Sequence, residues 1–349
     1  KAVFFGFTGT PIQDENEKNK NTTATVFGNE LHRYSIADGI RDKNVLGFDP
    51  YLISTYKDSK LREAVALDEA KANTIQEAMA YTKKKEIYLR FMDKSRVAMA
   101  GHWDKANNYV RGIEDYLLTE QYRRPEHQQK VVEDILDNWI QYSQNNKFHG
   151  MFATSSIAEA IEYYRLFKKL KPELKITALF DPNIDNNENA KFKEDGLVEI
   201  ISDYNNRYSM EFSLATHAKM KRDIADRLAH KELYKRVEHT PEKQLDLLIV
   251  VDQMLTGFDS KWVNTLYLDK MLEYANLIQA FSRTNRLFGK DKPFGIIRYY
   301  RRPHTMKRNI DAAVKLYSGD KPLALFVDKL QDNLKKLNTI FTDIEQLFK

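Results

Sequence analysis

The segment LDLLIVVDQMLTGFDSKWVNTLYLDK, residues 245–270, decides the fold. It contains two short apolar runs, 247–251 and 263–268, with the length and β-branched content of buried parallel strands. Between them, the four residues TGFD at 256–259 predict a turn. Open α/β sheets bind ligands beyond the carboxyl ends of their strands. The segment therefore predicts an α/β protein with a parallel sheet and a ligand-binding loop after one strand.

A helix with cationic side chains is predicted directly after the second strand. The sequence LIQAFSRTNR, residues 277–286, contains no Pro or Gly, so a helix through it would place Gln279, Arg283 and Arg286 on one face. Paired guanidiniums can stabilise the charge on a transferring phosphoryl group. A solvated basic face is the alternative, because charged rows are common on surface helices. The helix alone leaves both interpretations open.

Two further motifs place hydroxyl groups at the ends of predicted strands. An apolar run at 2–7 leads into the tight turn TGTP at 8–11. A second run at 149–154 ends in Thr154 and Ser155, just before a helix predicted from residue 157. Hydroxyls and amides at a helix start can bind phosphate, although they can also act only as a helix cap.

These motifs together carry a family resemblance. The order of strand, Thr-Gly-x-Asp loop, strand and arginine-bearing helix resembles motifs V and VI of superfamily 2 helicases and translocases, and the TGTP turn resembles their motif III. The sequences GFTGTPI at 6–12, LTGFDSKWVNTLYLDK at 255–270 and QAFSRTNR at 279–286 are similar to the motor (R) subunit of type I restriction enzymes. The resemblance implies a fragment of such a subunit that begins at motif III.

The resemblance also implies roles for individual residues. In motif VI, Arg283 and Arg286, with Gln279, would be the catalytic residues at the γ-phosphate of ATP. In the Thr-Gly-x-Asp loop, Gly257 and Asp259 would belong to the ATP side. The residues implied in DNA binding, or in coupling it to the ATP cleft, are Thr8, Gly9, Thr10, Thr154, Ser155 and Thr256.

The fold implied is a RecA-like second helicase lobe with a parallel sheet, a long helical insertion and a C-terminal helical segment. Residues 1–25 would end the first lobe, 26–147 would form the interlobe crossing and the insertion, 148–303 the second lobe, and 304–349 the start of a helical domain. Within these limits the sequence predicts extended pieces at 34–40 and 45–56, long amphipathic helices over 61–142, a polar loop at 181–194 and a helix at 210–229.

The chain holds only part of the chemistry that the resemblance implies. It lacks a G-x-x-x-x-G-K-[ST] loop for phosphates and an acidic strand end before Thr8. ATP and Mg²⁺ are therefore expected in the full-length protein, with ligands mostly in the missing lobe, whereas the fragment alone is expected to be inactive and to require no cofactor or metal. Double-stranded DNA and the modification and specificity subunits are the implied partners. The nuclease residues are expected outside this fragment.

Composition bounds the class of protein. The 349 residues are 42% hydrophobic and 30% charged, which is typical of a globular chain with one large domain or two smaller ones. No uncharged apolar segment reaches the roughly 18 residues of a membrane span, and there are no cysteines. The net charge of +5 is compatible with a nucleic-acid partner without requiring one. A cytoplasmic protein without membrane contact is expected.

Three alternatives remain at this point. The chain could belong to a strand-separating helicase or repair translocase, which activity on a forked duplex would distinguish. It could be a non-catalytic DNA- or protein-binding module that acts through its helical regions, in which case Arg286 would be dispensable. A metabolic α/β enzyme is disfavoured because it leaves the TGTP turn unexplained.

Overall fold

The computed structural model describes residues 6–13, 17, 21–181, 190–318, 325–326 and 341. Residues 2–5 of the strand predicted at 2–7, and most of the predicted C-terminal helical segment, lie outside these residues. The helices are α1 Thr23–Phe27, α2 Ile36–Arg41, α3 Asp58–Glu69, α4 Ile75–Ala80, α5 Thr82–Met92, α6 Ile113–Tyr116, α7 Pro125–Ser143, α8 Ile157–Leu170, α9 Ala190–Tyr208, α10 His217–Ala229, α11 Tyr274–Phe281 and α12 Pro303–Tyr317. The strands are β1 Phe48–Leu52, β2 His102–Trp103, β3 Tyr109–Val110, β4 His149–Thr154, β5 Ile176–Leu179, β6 Leu247–Val250, β7 Val263–Asp269 and β8 Gly295–Tyr299.

Six of these strands form one sheet in the order β1-β8-β7-β4-β6-β5. Each neighbouring pair in the sheet is parallel. Every residue of β4, β5, β6 and β7 is buried, as expected for parallel strands covered by helices on both faces. The predicted α/β fold with a parallel sheet is confirmed.

The sheet includes parts of the segment 26–147, which was expected to form the crossing and the insertion. Strand β1 pairs with β8 along five residues and forms one edge. Helix α7 contributes Val131, Ile135 and Trp139 to the same apolar core as the central strands. The lobe built on this sheet therefore uses chain from well before residue 148.

The helical insertion has a small core of its own. Helices α3, α4 and α5 pack around Leu61, Val65, Phe91 and Ile113, which are all buried. The prediction of helices throughout 61–142 is wrong at the two-stranded hairpin β2–β3. Asn107, in the turn of this hairpin, has a φ of 62°, a conformation that asparagine tolerates better than most residues.

Three other local predictions need correction. Residues 36–41, expected to be extended, form α2, because Ser35 and Asp38 make a capping box at the helix start. The helix expected from 210 begins at His217 after a 3-10 turn. Helix α9 already begins at Ala190, so the predicted polar loop at 181–194 is shorter at its C-terminal end.

Two buried histidines meet beside the amino end of β4. The Nε2 atoms of His149 and His230 are 2.8 Å apart, and the His230 ring stacks on Trp262 with 3.7 Å between centroids. Burial, together with the neighbouring His230, lowers the pKa of His149 to about 3. Burial lowers the pKa of His230 to about 4. Both rings are therefore neutral at pH 7 in the folded protein.

We predict that this pair makes the chain acid-sensitive above the range where carboxylates titrate. Between pH 6.5 and about 4 the unfolded chain binds protons at these histidines and the folded chain does not, so stability falls as pH falls. At pH 5 each histidine should lower the free energy of unfolding by about 2 kcal/mol relative to pH 7. Urea unfolding of the purified chain at the two pH values measures this difference.

A matched variant isolates the effect. Replacing both His149 and His230 by Gln should make the stability fall less steeply between pH 7 and pH 5, whatever the effect of the change on stability at pH 7. His102→Gln removes an exposed histidine of the hairpin and should leave the pH dependence as in the wild type. Equal pH dependence in the wild type and the double variant would show that the buried pair does not set it.

Candidate functional site

The loop between β6 and β7 is fixed at one end and exposed in the middle. Phe258 is buried, and the Ser260 hydroxyl donates to the carbonyl of Leu228 at 2.7 Å. Gly257 has a φ of 76°, a left-handed conformation that favours glycine, and its Cβ position faces open space. The loop is thus anchored by its apolar and hydroxyl side chains while Thr256, Gly257 and Asp259 remain exposed.

The arginine-bearing helix is shorter than predicted. Helix α11 ends at Phe281, so Arg283 and Arg286 follow the helix and do not lie on its face with Gln279. The reason is local: the hydroxyls of Ser282 and Thr284 donate to the carbonyls of Ile278 and Phe281 and compete with continued helix. The single-helix-face prediction is therefore wrong, although the three side chains still lie near one another.

Gln279 connects the two loops whose motifs were recognised separately. Its Nε2 donates to the hydroxyl of Thr10 at 2.9 Å, and its Oε1 accepts from the hydroxyl of Thr256 at 3.3 Å. These residues are 269 and 23 positions away from it in the chain. One amide therefore joins the TGTP turn, the TGFD loop and α11.

The two arginines lie beside this junction. Arg286 forms an ion pair through Nε with Asp259, and the two side chains are 43% and 65% exposed. Arg283 donates from Nε to the carbonyl of Gln279 at 3.0 Å. Burial lowers the pKa of Arg283, and the positive charge of Arg286 lowers it further. Such a pair of cations favours a bound anion.

The remaining TGTP residues lie next to Thr10. The backbone N–H of Thr10 donates to the Thr8 hydroxyl at 3.2 Å. Thr8 and Gly9 are exposed, and the Cβ position of Gly9 faces open space. This group of residues, Thr8, Gly9, Thr10, Thr256, Gly257, Asp259, Gln279, Arg283 and Arg286, is called here the arginine cluster.

The arginine cluster lies toward the amino edge of the sheet. Asp259 precedes the first residue of β7 by only a few positions, and the carbonyl of Asn285 accepts from the backbone N–H of Leu46, just before β1. The carboxyl ends of the strands lie at the opposite edge, roughly 23 Å away for a seven-residue strand such as β7 at about 3.3 Å per residue. The sheet thus separates two possible sites.

Thr154 and Ser155 lie at that opposite, carboxyl edge. Thr154 is fully buried, and its hydroxyl donates to the carbonyl of Ser156 at 3.2 Å. The Ser155 hydroxyl donates to the carbonyl of Asp269 at 3.0 Å. Each hydroxyl has one proton and uses it within the protein, so neither can donate to a phosphate in this conformation. Their predicted phosphate contacts through the hydroxyls are at odds with this geometry.

A buried ionic network lies behind these hydroxyls. Arg301 contacts the carboxylates of Asp269 at 3.1 Å and Glu159 at 2.6 Å. His127 Nε2 lies 3.0 Å from Asp269, and the Tyr163 hydroxyl donates to the same carboxylate at 2.8 Å. Burial alone would raise the pKa of Asp269, but His127 and Arg301 hold it below its ordinary value. Burial raises the pKa of Glu159 despite its contact with Arg301.

Only the cationic side chains around this network give a signal in the sequence. The arginines at the end of β8 stand out in the sequence as Arg298, Arg301 and Arg302. The two carboxylate partners of Arg301 give no local signal, because Asp269 and Glu159 lie 32 and 142 residues away from it. Such pairs become visible only when the strand order is known.

The described residues contain no group of three or more His, Cys, Asp or Glu side chains that could hold a metal ion. Among the same residues, no helix is both long enough and apolar enough to cross a membrane.

Two protein families match separate parts of the chain. Residues 1–85 match the SWI2/SNF2 ATPase family, and residues 146–302 match domain 3 of the type I restriction enzyme subunit R. The first match spans the TGTP turn, and the second spans the TGFD loop and both arginines. The parallel α/β sheet and these two matches place the chain among proteins that combine a SWI2/SNF2-type segment with a type I restriction enzyme subunit R domain.

Similar proteins narrow the class to a family. The chain is 36% identical over 344 residues to the type I restriction enzyme SauCOLORF180P endonuclease subunit of Staphylococcus aureus strain COL, covering 96% of this chain and 31% of that protein. It is 33% identical over 327 residues to the SsaAORF53P endonuclease subunit of Staphylococcus saprophyticus, covering 91% of this chain and 29% of that protein. The chain belongs to the R (endonuclease) subunit family of type I restriction enzymes. It spans about a third of the length of these relatives.

A solved structure shows a weaker likeness. A fragment assigned to the HsdR subunit of a type I restriction enzyme from Vibrio vulnificus YJ016 is 13% identical, with a TM-score of 0.46 over 89% of this chain and 41% of that one.

Proposed function

We propose that this chain supplies the second motor lobe of an ATP-driven double-stranded DNA translocase within a type I restriction endonuclease subunit. The observation that carries the proposal is the position of Gln279, which contacts both Thr10 and Thr256. A motor that couples ATP hydrolysis to movement on DNA needs contacts between the loops at the nucleotide and the loops at the DNA. Gln279 provides such contacts between the TGTP turn and the TGFD loop.

The arginine cluster is suited to a phosphoryl group on a neighbouring lobe. Arg286 is held by Asp259 in an exposed ion pair, and exposed pairs contribute only about 0–1 kcal/mol. Arg286 can therefore exchange this carboxylate for a phosphate at little cost. The nearby charge of Arg283 adds to the attraction. Guanidiniums brought to developing negative charge from across a cleft accelerate phosphoryl transfer.

The proposal includes the organisation of the whole subunit. ATP would be bound mostly by residues of another lobe, together with its Mg²⁺, and double-stranded DNA would cross the lobe described here. The modification and specificity subunits are proposed as partners, the nuclease residues would lie outside this chain, and the complex would work in the cytoplasm. We place the second lobe at residues 148–303 and add β1 and α7, since both share its core.

Phosphate release by the complete subunit tests this function. Duplex DNA should stimulate hydrolysis of ATP, and a forked duplex should not be separated into strands. Absence of DNA stimulation would contradict the motor proposal. Efficient strand separation would favour a helicase over a double-strand translocase.

Replacing Gln279 should weaken the link between DNA and hydrolysis. Gln279→Ala removes the contacts to Thr10 and Thr256, and a coupling of about 1.4 kcal/mol corresponds to a ten-fold loss. We therefore expect the stimulation by DNA to fall about ten-fold in the complete subunit. Gln129→Ala, at an exposed position on α7, is the control and should keep full stimulation. Full stimulation in Gln279→Ala would show that this amide does not transmit the signal.

A further inference from the structure

A cavity of about 430 Å³ opens at the carboxyl edge of the sheet. It is reached from the ends of three strands, because Ser155 follows β4, Lys270 follows β7, and Arg301 with Arg302 follows β8. The short segment before α7 closes it from the insertion side. Its lining residues are Thr119, Tyr122, Arg123, Ser155, Lys270, Met271, Arg301 and Arg302. We call it the basic cavity.

The charged side chains that line the basic cavity are all positive. Four of its side chains are cationic and none is a carboxylate. Arg301 is nonetheless neutralised from behind by Asp269 and Glu159, and Lys270 pairs with the exposed Asp252. The charge that remains to attract a ligand therefore comes mainly from Arg123 and Arg302.

These two arginines are only partly engaged. Arg123 uses Nε to contact Glu159 at 3.2 Å, and its side chain is 50% exposed while Glu159 is shared with Arg301. Arg302 is held by a neutral group, since its Nη2 donates to the carbonyl of Leu117 at 2.7 Å. An arginine has five N–H donors, so both retain donors for a ligand.

The backbone conformation of Arg302 also indicates that this residue lies at a functional site. Its φ is 42°, a left-handed conformation that is uncommon for residues other than glycine, and a proline follows it. Strain of this kind costs on the order of 1–3 kcal/mol and is concentrated at functional sites. The strained residue is thus Arg302, whose guanidinium contacts the neutral carbonyl of Leu117.

We propose that the basic cavity binds a backbone phosphate of DNA through Arg123 and Arg302. This inference rests on the proposed motor function and assigns its phosphate contact to arginines in place of the hydroxyls of Thr154 and Ser155. A planar guanidinium suits phosphate oxygens, and contacts to phosphate do not read sequence. Four of the eight lining side chains are cationic, which favours an anionic ligand. The cavity lies at the sheet edge opposite the arginine cluster, so DNA and nucleotide would be held separately.

The test measures DNA binding by the complete subunit without nucleotide. Fluorescence anisotropy with two labelled duplexes of unrelated sequence, over a range of salt concentrations, compares the wild type with Arg123→Gln/Arg302→Gln. Loss of two phosphate contacts should weaken binding on the order of ten-fold or more, equally on both duplexes, and lower the salt slope by about 2. The control Lys219→Gln/Lys221→Gln removes two exposed charges from α10 and should keep the wild-type slope and the wild-type ATP hydrolysis.

Each other result has a defined meaning. If the double variant unfolds at a lower temperature, Arg123→Gln alone is measured, and it should lower the slope by about 1. Equal binding by wild type and variant at every salt concentration would overturn the proposal, as would a loss confined to one duplex sequence. Stabilisation of the wild type alone by orthophosphate, with equal DNA binding, would assign the cavity to a free anion and also overturn it. Failure of the proposed motor function would be detected separately, because DNA would then not stimulate ATP hydrolysis by the wild-type subunit.

Discussion

Replacing Arg286 with alanine is expected to reduce DNA-stimulated ATP hydrolysis by the complete subunit by about 10³-fold or more, which is what an arginine finger supplies. Nucleotide binding should change much less, because the contact to the transferring phosphoryl group strengthens in the transition state. Stopped-flow phosphate release and equilibrium binding of a fluorescent nucleotide separate the two effects.

Two variants make this prediction specific. Arg286→Lys keeps the charge but loses the planar fork, so it should recover little activity. Arg222→Ala removes an exposed arginine of α10 and should hydrolyse ATP at the wild-type rate. Near-normal hydrolysis by Arg286→Lys would show that the residue acts only as a surface charge.

The largest effect on stability is expected at Arg301. Arg301→Met removes the guanidinium and leaves the carboxylates of Asp269 and Glu159 buried near each other. Breaking a buried ion pair on one side costs about 3–5 kcal/mol, since the remaining charge is uncompensated. Urea unfolding of the purified chain near pH 7 should show a loss of this size.

An exposed ion pair supplies the control for Arg301. Arg165→Met breaks the contact with Glu199, in which the side chains are 41% and 32% exposed, and should cost at most about 1 kcal/mol. A loss at Arg301 no larger than the loss at Arg165 would mean that the network around Asp269 is not a stabilising unit.

The parallel sheet could be predicted from sequence because its strands carry a local signal. The run at 247–251 is apolar at every position and the run at 263–268 is apolar at four of its six positions, and the structure buries both faces of β6 and β7. The TGFD loop was also predictable, because a glycine is required where Gly257 takes a positive φ. These features depend on residues within a few positions of one another.

Other features could not be predicted from the sequence. They depend on contacts between residues that are far apart in the chain, or on competition between local hydrogen bonds. The end of α11 at Phe281 follows from hydroxyl bonds of Ser282 and Thr284, whereas helix periodicity continues through Arg286. The burial of Thr154 depends on strands β6 and β7 on either side of it. The basic cavity brings Arg123 and Arg302 together only through the packing of the insertion against the end of β8.

The proposed motor function is tested most directly by measuring translocation along DNA. Displacement of a third strand bound far from the recognition site on a linear duplex, by the assembled restriction complex with ATP, reports movement along DNA without strand separation. The wild type and Arg222→Ala should displace it after a delay that grows with distance, and Arg286→Ala should not displace it above the rate without ATP. Distance-dependent displacement by Arg286→Ala at the wild-type rate would contradict the claim that this lobe supplies the motor's arginine.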